Sequence, residues 1–100
     1  MSFRLVVRPL AELDLLEAYE WYEAHQARLG SDFISAVDGL FGRIAGNPRL
    51  YPEVHRHVRR AVVRRFPYLV YFIVEGDVVS VLGCFHSKRR PELARERLGT

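Results

Sequence analysis

Tyr68–Val74 (Tyr-Leu-Val-Tyr-Phe-Ile-Val) is an unbroken apolar and aromatic run, too short for a buried helix and rich in strand formers. It reads as a central strand covered on both faces. Glu75-Gly76-Asp77 follows as a turn, and Val78–His86 returns beside it as a hairpin partner. A hairpin apolar on both sides needs a layer packed over it, and the first half of the chain supplies one.

Phe33, Val37, Leu40, Phe41 and Ile44 recur at i, i+4, i+7, i+8 and i+11, the spacing of one buried helix face, and Gly46-Asn47-Pro48 stops that helix. In Leu10–Gln26 a second stripe runs through Ala11, Leu15, Ala18, Tyr19, Tyr22 and Gln26. Glu12, Asp14, Glu17, Glu20 and Glu23 lie largely off it and predict an acidic outer side. Leu13, Leu16 and Trp21 also fall outside the stripe, either as ordinary exposed apolar residues or as a docking surface for a partner. Gly30 is expected to end this helix and Ser31 or Asp32 to cap the next, the short link making an antiparallel hairpin.

Phe3–Arg8 reads as a strand stopped by Pro9, which suits the first turn of the following helix. Val58–Phe66 alternates as a basic strand, with Val58, Arg60, Val62, Arg64 and Phe66 on one side and Arg59, Ala61, Val63 and Arg65 on the other. Pro91 opens a short final helix. The order β-α-α-β-β-β-α predicts an α+β fold, an antiparallel sheet with the N-terminal α-helical hairpin packed on one face. One hundred residues, 49% of them hydrophobic, suffice for a single domain over 1–100.

The longest apolar run, Phe66–Val74, is interrupted by Pro67 and falls well short of the ~18–20 residues that cross a bilayer. No apolar stretch precedes Arg8 that would serve as a signal peptide. Cys84 stands alone, so no intrachain disulfide forms. The expectation is a cytoplasmic protein without membrane attachment.

Charge is divided between the halves. Residues 1–47 hold four arginines against seven acids, a net −3, whereas residues 48–100 hold ten arginines and one lysine against five acids, a net +6. Fourteen arginines to one lysine favour planar, bidentate contacts with carboxylate or phosphate. Such a basic half either is a solvated face or meets an anionic partner, nucleic acid or acidic protein.

Few residues suggest chemistry. His86 ends the last strand beside Ser87-Lys88-Arg89-Arg90, and reads either as a general base among cations or as a structural histidine bonding a loop carbonyl. With arginines nearby it sketches a metal-independent ribonuclease, for which Tyr68, Tyr71, His55 and His57 are the available proton donors. His55-Arg56-His57 has the spacing of one strand face, but no cysteine or clear carboxylate ligand accompanies it, so no metal site is expected. No glycine-rich phosphate loop occurs, and no cofactor is expected. Asp14 and Glu17, one helical turn apart, are solvated charges, partners for arginines of the basic half, or a carboxylate pair for acid–base work, the first being the commonest case.

Four stretches together resemble the ParE/RelE superfamily of type II toxin–antitoxin toxins, and its ParE-like, plasmid stabilisation branch in particular. They are Ala11-Glu12-Leu13-Asp14-Leu15 leading to Tyr19-Glu20-Trp21-Tyr22; Phe33 with Pro48-Arg49-Leu50-Tyr51-Pro52; Arg65-Phe66-Pro67-Tyr68-Leu69-Val70-Tyr71; and Val81–Phe85 with His86, Arg89, Pro91 and Arg97. The resemblance implies a helical hairpin against a sheet, and a cognate antitoxin that wraps and neutralises the toxin in a hetero-oligomer. Leu13, Leu16, Trp21, Arg59, Arg65 and Arg90 are the residues expected to meet such a partner. It also implies one of two activities. A ParE-like protein is a growth inhibitor acting on DNA gyrase and no enzyme; a RelE-like protein is a ribosome-dependent mRNA endonuclease. In the second case His86, Arg60, Arg64 and Arg89 would be catalytic. RelE-type members commonly use a lysine pair and a late tyrosine, whereas here the only lysine is Lys88 and the last tyrosine is Tyr71. That departure favours gyrase inhibition.

Overall fold

The computed structural model describes residues 2–89 and 96–97. Strand β1 (Arg4–Val7) leads into helices α1 (Pro9–His25) and α2 (Leu29–Gly46). A 3-10 turn at Pro48–Leu50 precedes β2 (Glu53–His55), β3 (Val58–Val63), β4 (Tyr68–Glu75) and β5 (Val78–His86). The five strands form one sheet in the order β1-β5-β4-β3-β2.

The β4–β5 hairpin is the centre of the sheet. Its register runs from Tyr68 opposite His86 to Glu75 opposite Val78, broken by a bulge where Tyr71 faces Gly83 and Phe72 faces Val81. Gly76 closes the turn at φ 61°, a left-handed conformation open to glycine. The apolar run therefore has strands on both sides, and Val70 and Phe72 are wholly buried.

The sheet is mixed, not antiparallel throughout. Strand β1 lies parallel to β5, Arg4 opposite Val78 through Val7 opposite Val81. The two are joined by the entire helical layer and three strands, and a connection that long permits the parallel arrangement that a tight turn forbids. A short extra strand, β2, pairs with β3 at Val58 and Arg59. The basic strand ends at Val63 rather than Phe66, because Arg65 adopts φ 71° and turns the chain into β4. Arg64 and Arg65 consequently sit on a turn.

Both helices cover one face of the sheet, α1 over β5 and α2 over β3 and β1. Pro9 occupies the first turn of α1, where its missing N–H leaves nothing unsatisfied. Phe33, Val37, Leu40 and Ile44 of α2 are buried as their periodicity requires. The Phe33 ring meets those of Tyr22, Phe66 and Tyr68 at centroid distances of 5.4, 5.3 and 5.0 Å, pinning both helices to the β3–β4 turn.

The junction between the helices departs from expectation. Arg28, at φ 74°, makes the corner, and Gly30 lies inside α2 instead of ending α1. Neither Ser31 nor Asp32 caps α2; the Glu23 carboxylate of α1 accepts the Gly30 and Ser31 N–H groups at 2.9 and 3.3 Å. Glycine is needed at position 30 for contact, since a Cβ there would stand 2.6 Å from the Tyr19 carbonyl. The helix expected from Pro91 falls mostly outside the described residues.

Candidate functional site

Asp14 occupies the buried stripe of α1 between Ala11 and Ala18, not the acidic outer side. Strand β1 accompanies β5 only as far as Val81, so among the described residues the Cys84 N–H faces an edge without a neighbouring strand. The Asp14 carboxylate fills that gap. Its Oδ2 accepts the Cys84 N–H at 3.0 Å, and both oxygens accept from the Arg97 guanidinium at 2.8 and 3.0 Å. The carboxylate is thus satisfied on three sides, and a residue near the C-terminus is fastened to the first helix.

Beside this clamp a groove of about 490 Å³ opens between α1 and the end of the hairpin, lined by Glu17, Trp21, Tyr22, Tyr68, His86 and Arg89 among others. Burial pushes the Cys84 thiol up to about 12, with the Asp14 charge adding to it. Burial likewise raises the phenols of Tyr22 and Tyr68, each reinforced by Cys84, and Tyr68 additionally by Tyr22. All three keep their protons at neutral pH, so the thiol and the two phenols give the groove donors and an aromatic floor rather than a thiolate or a phenolate.

His86 lies at the lip of this groove, edge-on to Tyr68 at 5.3 Å. Its Nδ1 accepts the Lys88 N–H at 3.0 Å, so the neutral ring carries its proton on Nε2. The bond is to a loop N–H and not to the loop carbonyl that the structural reading expected. Arg89 packs over the Phe85 ring at 5.2 Å.

Arg60 and Arg64 lie elsewhere. Together with Arg65 they border a second cleft, of about 1110 Å³, alongside β3. The four residues expected to cooperate in RNA cleavage are divided between the two clefts, His86 and Arg89 in one, Arg60 and Arg64 in the other. Arg59 points to the helical side with Ala61 and Val63, and its Nη1 donates to the Tyr51 and Arg49 carbonyls at 2.6 and 3.4 Å. Its Nη2 stands 3.7 Å from Glu53, so this arginine fastens the preceding loop to β3. Arg90 lies outside the described residues. His55 ends β2 and Arg56 turns at φ 53°, so His55 and His57 do not share a strand face.

The outward face of α1 carries Leu13, Leu16 and Trp21, which are 49%, 51% and 55% exposed, and Leu10 joins them. Trp21 stacks on His25 at 3.8 Å and reaches the rim of the groove. Four large apolar side chains left exposed on one helix are a surface of the kind that partners cover. The sequence signal for the Asp14 clamp was there, an acid at i+3 and i−4 within a buried alanine stripe. An arginine of the basic half was one of the two readings for Asp14, and the structure makes it Arg97, 83 residues away, a choice that periodicity does not specify.

A helical pair on one face of a five-stranded mixed sheet is an architecture found in toxins of bacterial toxin–antitoxin systems. A chain of the chromosomal ParDE toxin–antitoxin system of P. aeruginosa superposes with a TM-score of 0.76 at 17% identity, over 85% of this chain and 96% of that one. A chain of the toxin–antitoxin complex RelBE2 of Mycobacterium tuberculosis gives 0.61 at 18% identity, over 86% and 99%. An arginine-to-alanine double mutant of E. coli toxin RelE in the free state gives 0.66 at 16% identity, over 98% and 96%. No curated protein matches the sequence at a significant level. Residues 5–91 match the family described as ParE toxin of type II toxin-antitoxin system, parDE. The chain belongs to that family, within the ParE/RelE superfamily of type II toxins.

Proposed function

We propose that this toxin inhibits growth by binding DNA gyrase, not by cutting RNA, and that a cognate antitoxin holds it inactive in a hetero-oligomer in the cytoplasm. The observation that carries the first part is the dispersal of the ribonuclease set. His86, its Nδ1 taken up by the Lys88 N–H, lines one cleft with Arg89 while Arg60 and Arg64 border another, so the four do not line a single cleft. The antitoxin is assigned to the face of α1 bearing Leu13, Leu16 and Trp21, with the adjoining groove, because apolar area of that extent is otherwise left in water.

Purified protein incubated with gyrase, plasmid and ATP should accumulate cleaved DNA, and His86→Ala should do so equally. Translating ribosomes charged with mRNA should show no new cleavage ends. Cleavage of ribosome-bound mRNA that His86→Ala abolishes, with gyrase unaffected, would reverse the assignment in favour of a RelE-like endonuclease.

A further inference from the structure

The groove between α1 and the end of the hairpin carries two opposite charges that nothing among the described residues takes up. Asp14 is occupied by Cys84 and Arg97, so Glu17 is the acid left to a ligand. Arg89 lines the hairpin side, packed on Phe85. Both are exposed, and neither side chain forms an ion pair with the other or with any other described residue. Burial raises the Tyr68 phenol, with Arg89 working against that rise and Glu17 adding to it, so both charges lie within reach of one hydroxyl.

Trp21 gives this groove a flat wall. It follows Glu17 by one helical turn, and His25, a turn further on, stacks on it at 3.8 Å with the rings 26° apart. One indole face is therefore covered and the ring held in place, which leaves the face on the Glu17 side for another ring. The volume of about 490 Å³ lies within the ~300–1,000 Å³ of small-molecule sites. A purely acidic ligand would meet Glu17, a purely basic one Arg89, and an apolar one would strip water from both charges. An aromatic plane with donors at one end and an anion at the other suits all three residues. Guanine presents N1–H and N2–H side by side, matching the two oxygens of a carboxylate that only accepts, whereas adenine and uracil offer a single donor position beside an acceptor. A nucleotide's phosphate suits a guanidinium, which holds it by two parallel bonds.

We propose that the groove of the free toxin binds a guanine mononucleotide, its base stacked on Trp21 and paired with the Glu17 carboxylate, its phosphate held by Arg89. The site belongs to the toxin without its antitoxin and does not depend on which cellular target the toxin has. Where the antitoxin covers the groove, nucleotide and antitoxin exclude one another.

Trp21 is the only tryptophan of the chain, so its fluorescence reports on the groove alone. The full chain is titrated with guanosine, adenosine and uridine 5′-monophosphates, with guanosine itself, and with a guanine-containing hexanucleotide, calorimetry serving as a second readout. Guanosine monophosphate should quench Trp21 saturably. The other two monophosphates and guanosine should each bind about tenfold more weakly or worse, the loss of one charge-assisted contact. Glu17→Gln should abolish the preference for the guanine over the adenine nucleotide, and Arg89→Ala the preference for the nucleotide over guanosine. Both residues are exposed, so the thermal midpoints of the two variants should stay with the wild type. No saturable binding of guanosine monophosphate, equal affinity for adenosine monophosphate, unaltered preferences in the two variants, or tighter binding of the hexanucleotide than of the mononucleotide would each overturn the proposal.

Discussion

Replacing Asp14 with alanine removes the shared acceptor of three hydrogen bonds at once. The Cys84 N–H, buried at the edge of β5, is left without a partner, which costs about 1–3 kcal/mol. The Arg97 guanidinium also loses a bidentate carboxylate. Breaking a wholly buried ion pair costs about 3–5 kcal/mol. Here Asp14 is 8% exposed but Arg97 is 23% exposed and can turn toward water, so only part of that applies. The two losses share one residue and do not simply add, and a net loss of about 3 kcal/mol is expected. For a domain of this size each kcal/mol shifts the midpoint by about 4–8 °C, so Asp14→Ala should melt about 12–24 °C lower. Asp14→Asn keeps an acceptor for Cys84 and should lose about half as much free energy. Urea unfolding followed by circular dichroism, on the wild type, Asp14→Ala, Arg97→Ala and the double variant, gives the coupling directly. About 1–2 kcal/mol of non-additivity is expected. Single variants whose effects add to within about 0.5 kcal/mol, or an Asp14→Ala that melts with the wild type, would refute the clamp.

Two further outcomes concern the core. The folded Cys84 thiol keeps its proton to about pH 12, while in the unfolded chain it ionises near 9. The unfolded state therefore binds fewer protons between those values, and stability should fall by up to about 1.4 kcal/mol per pH unit as pH rises through that window, with no such loss below it. Tyr22 and Tyr68 act in the same direction from above pH 10. Urea midpoints at pH 8, 9 and 10 should decline more steeply for the wild type than for Cys84→Ala; parallel curves would count against the assignment. Gly30→Ala forces a Cβ against the Tyr19 carbonyl and ring at 2.6 and 2.8 Å, and should cost about 1–3 kcal/mol. Gly42→Ala, in the same helix with open space around it, should instead add about 0.5–1 kcal/mol; thermal melts of the two compare them directly.

Much of the fold could be read from periodicity because periodicity reports burial. Phe33, Val37, Leu40 and Ile44 are the buried face of α2, and the turn at Gly76 sets the register of β4 and β5, as the spacing required. Leu13, Leu16 and Trp21 are exposed for the same reason that they fell off the stripe. What periodicity does not report is the choice of neighbour. Nothing within Arg4–Val7 says that its partner is β5 or that the pairing is parallel, since that depends on a crossover through the whole chain. The end of β3 was missed because Arg65 takes a conformation that its residue type disfavours. Gly30 looked like a helix terminator, yet its role is to admit the Tyr19 backbone. The division of His86 from Arg60 follows from strand alternation, since His86 lies opposite Tyr68 and Arg60 opposite Tyr71, an odd number of residues apart on β4, while Arg64 sits on the β3–β4 turn.

The parallel pairing of β1 has a consequence for assembly. The last of the five strands to leave the ribosome goes not to the rim of the sheet but to its interior, between the first strand and the fourth. Until β5 arrives, Arg4–Val7 has no ladder to join, and the Asp14 side chain has no Cys84 amide to receive. Closure over so long a sequence separation is entropically slow and late. The nascent protein therefore passes most of its synthesis with its two edges apart, and its final architecture is sealed by the insertion of one strand.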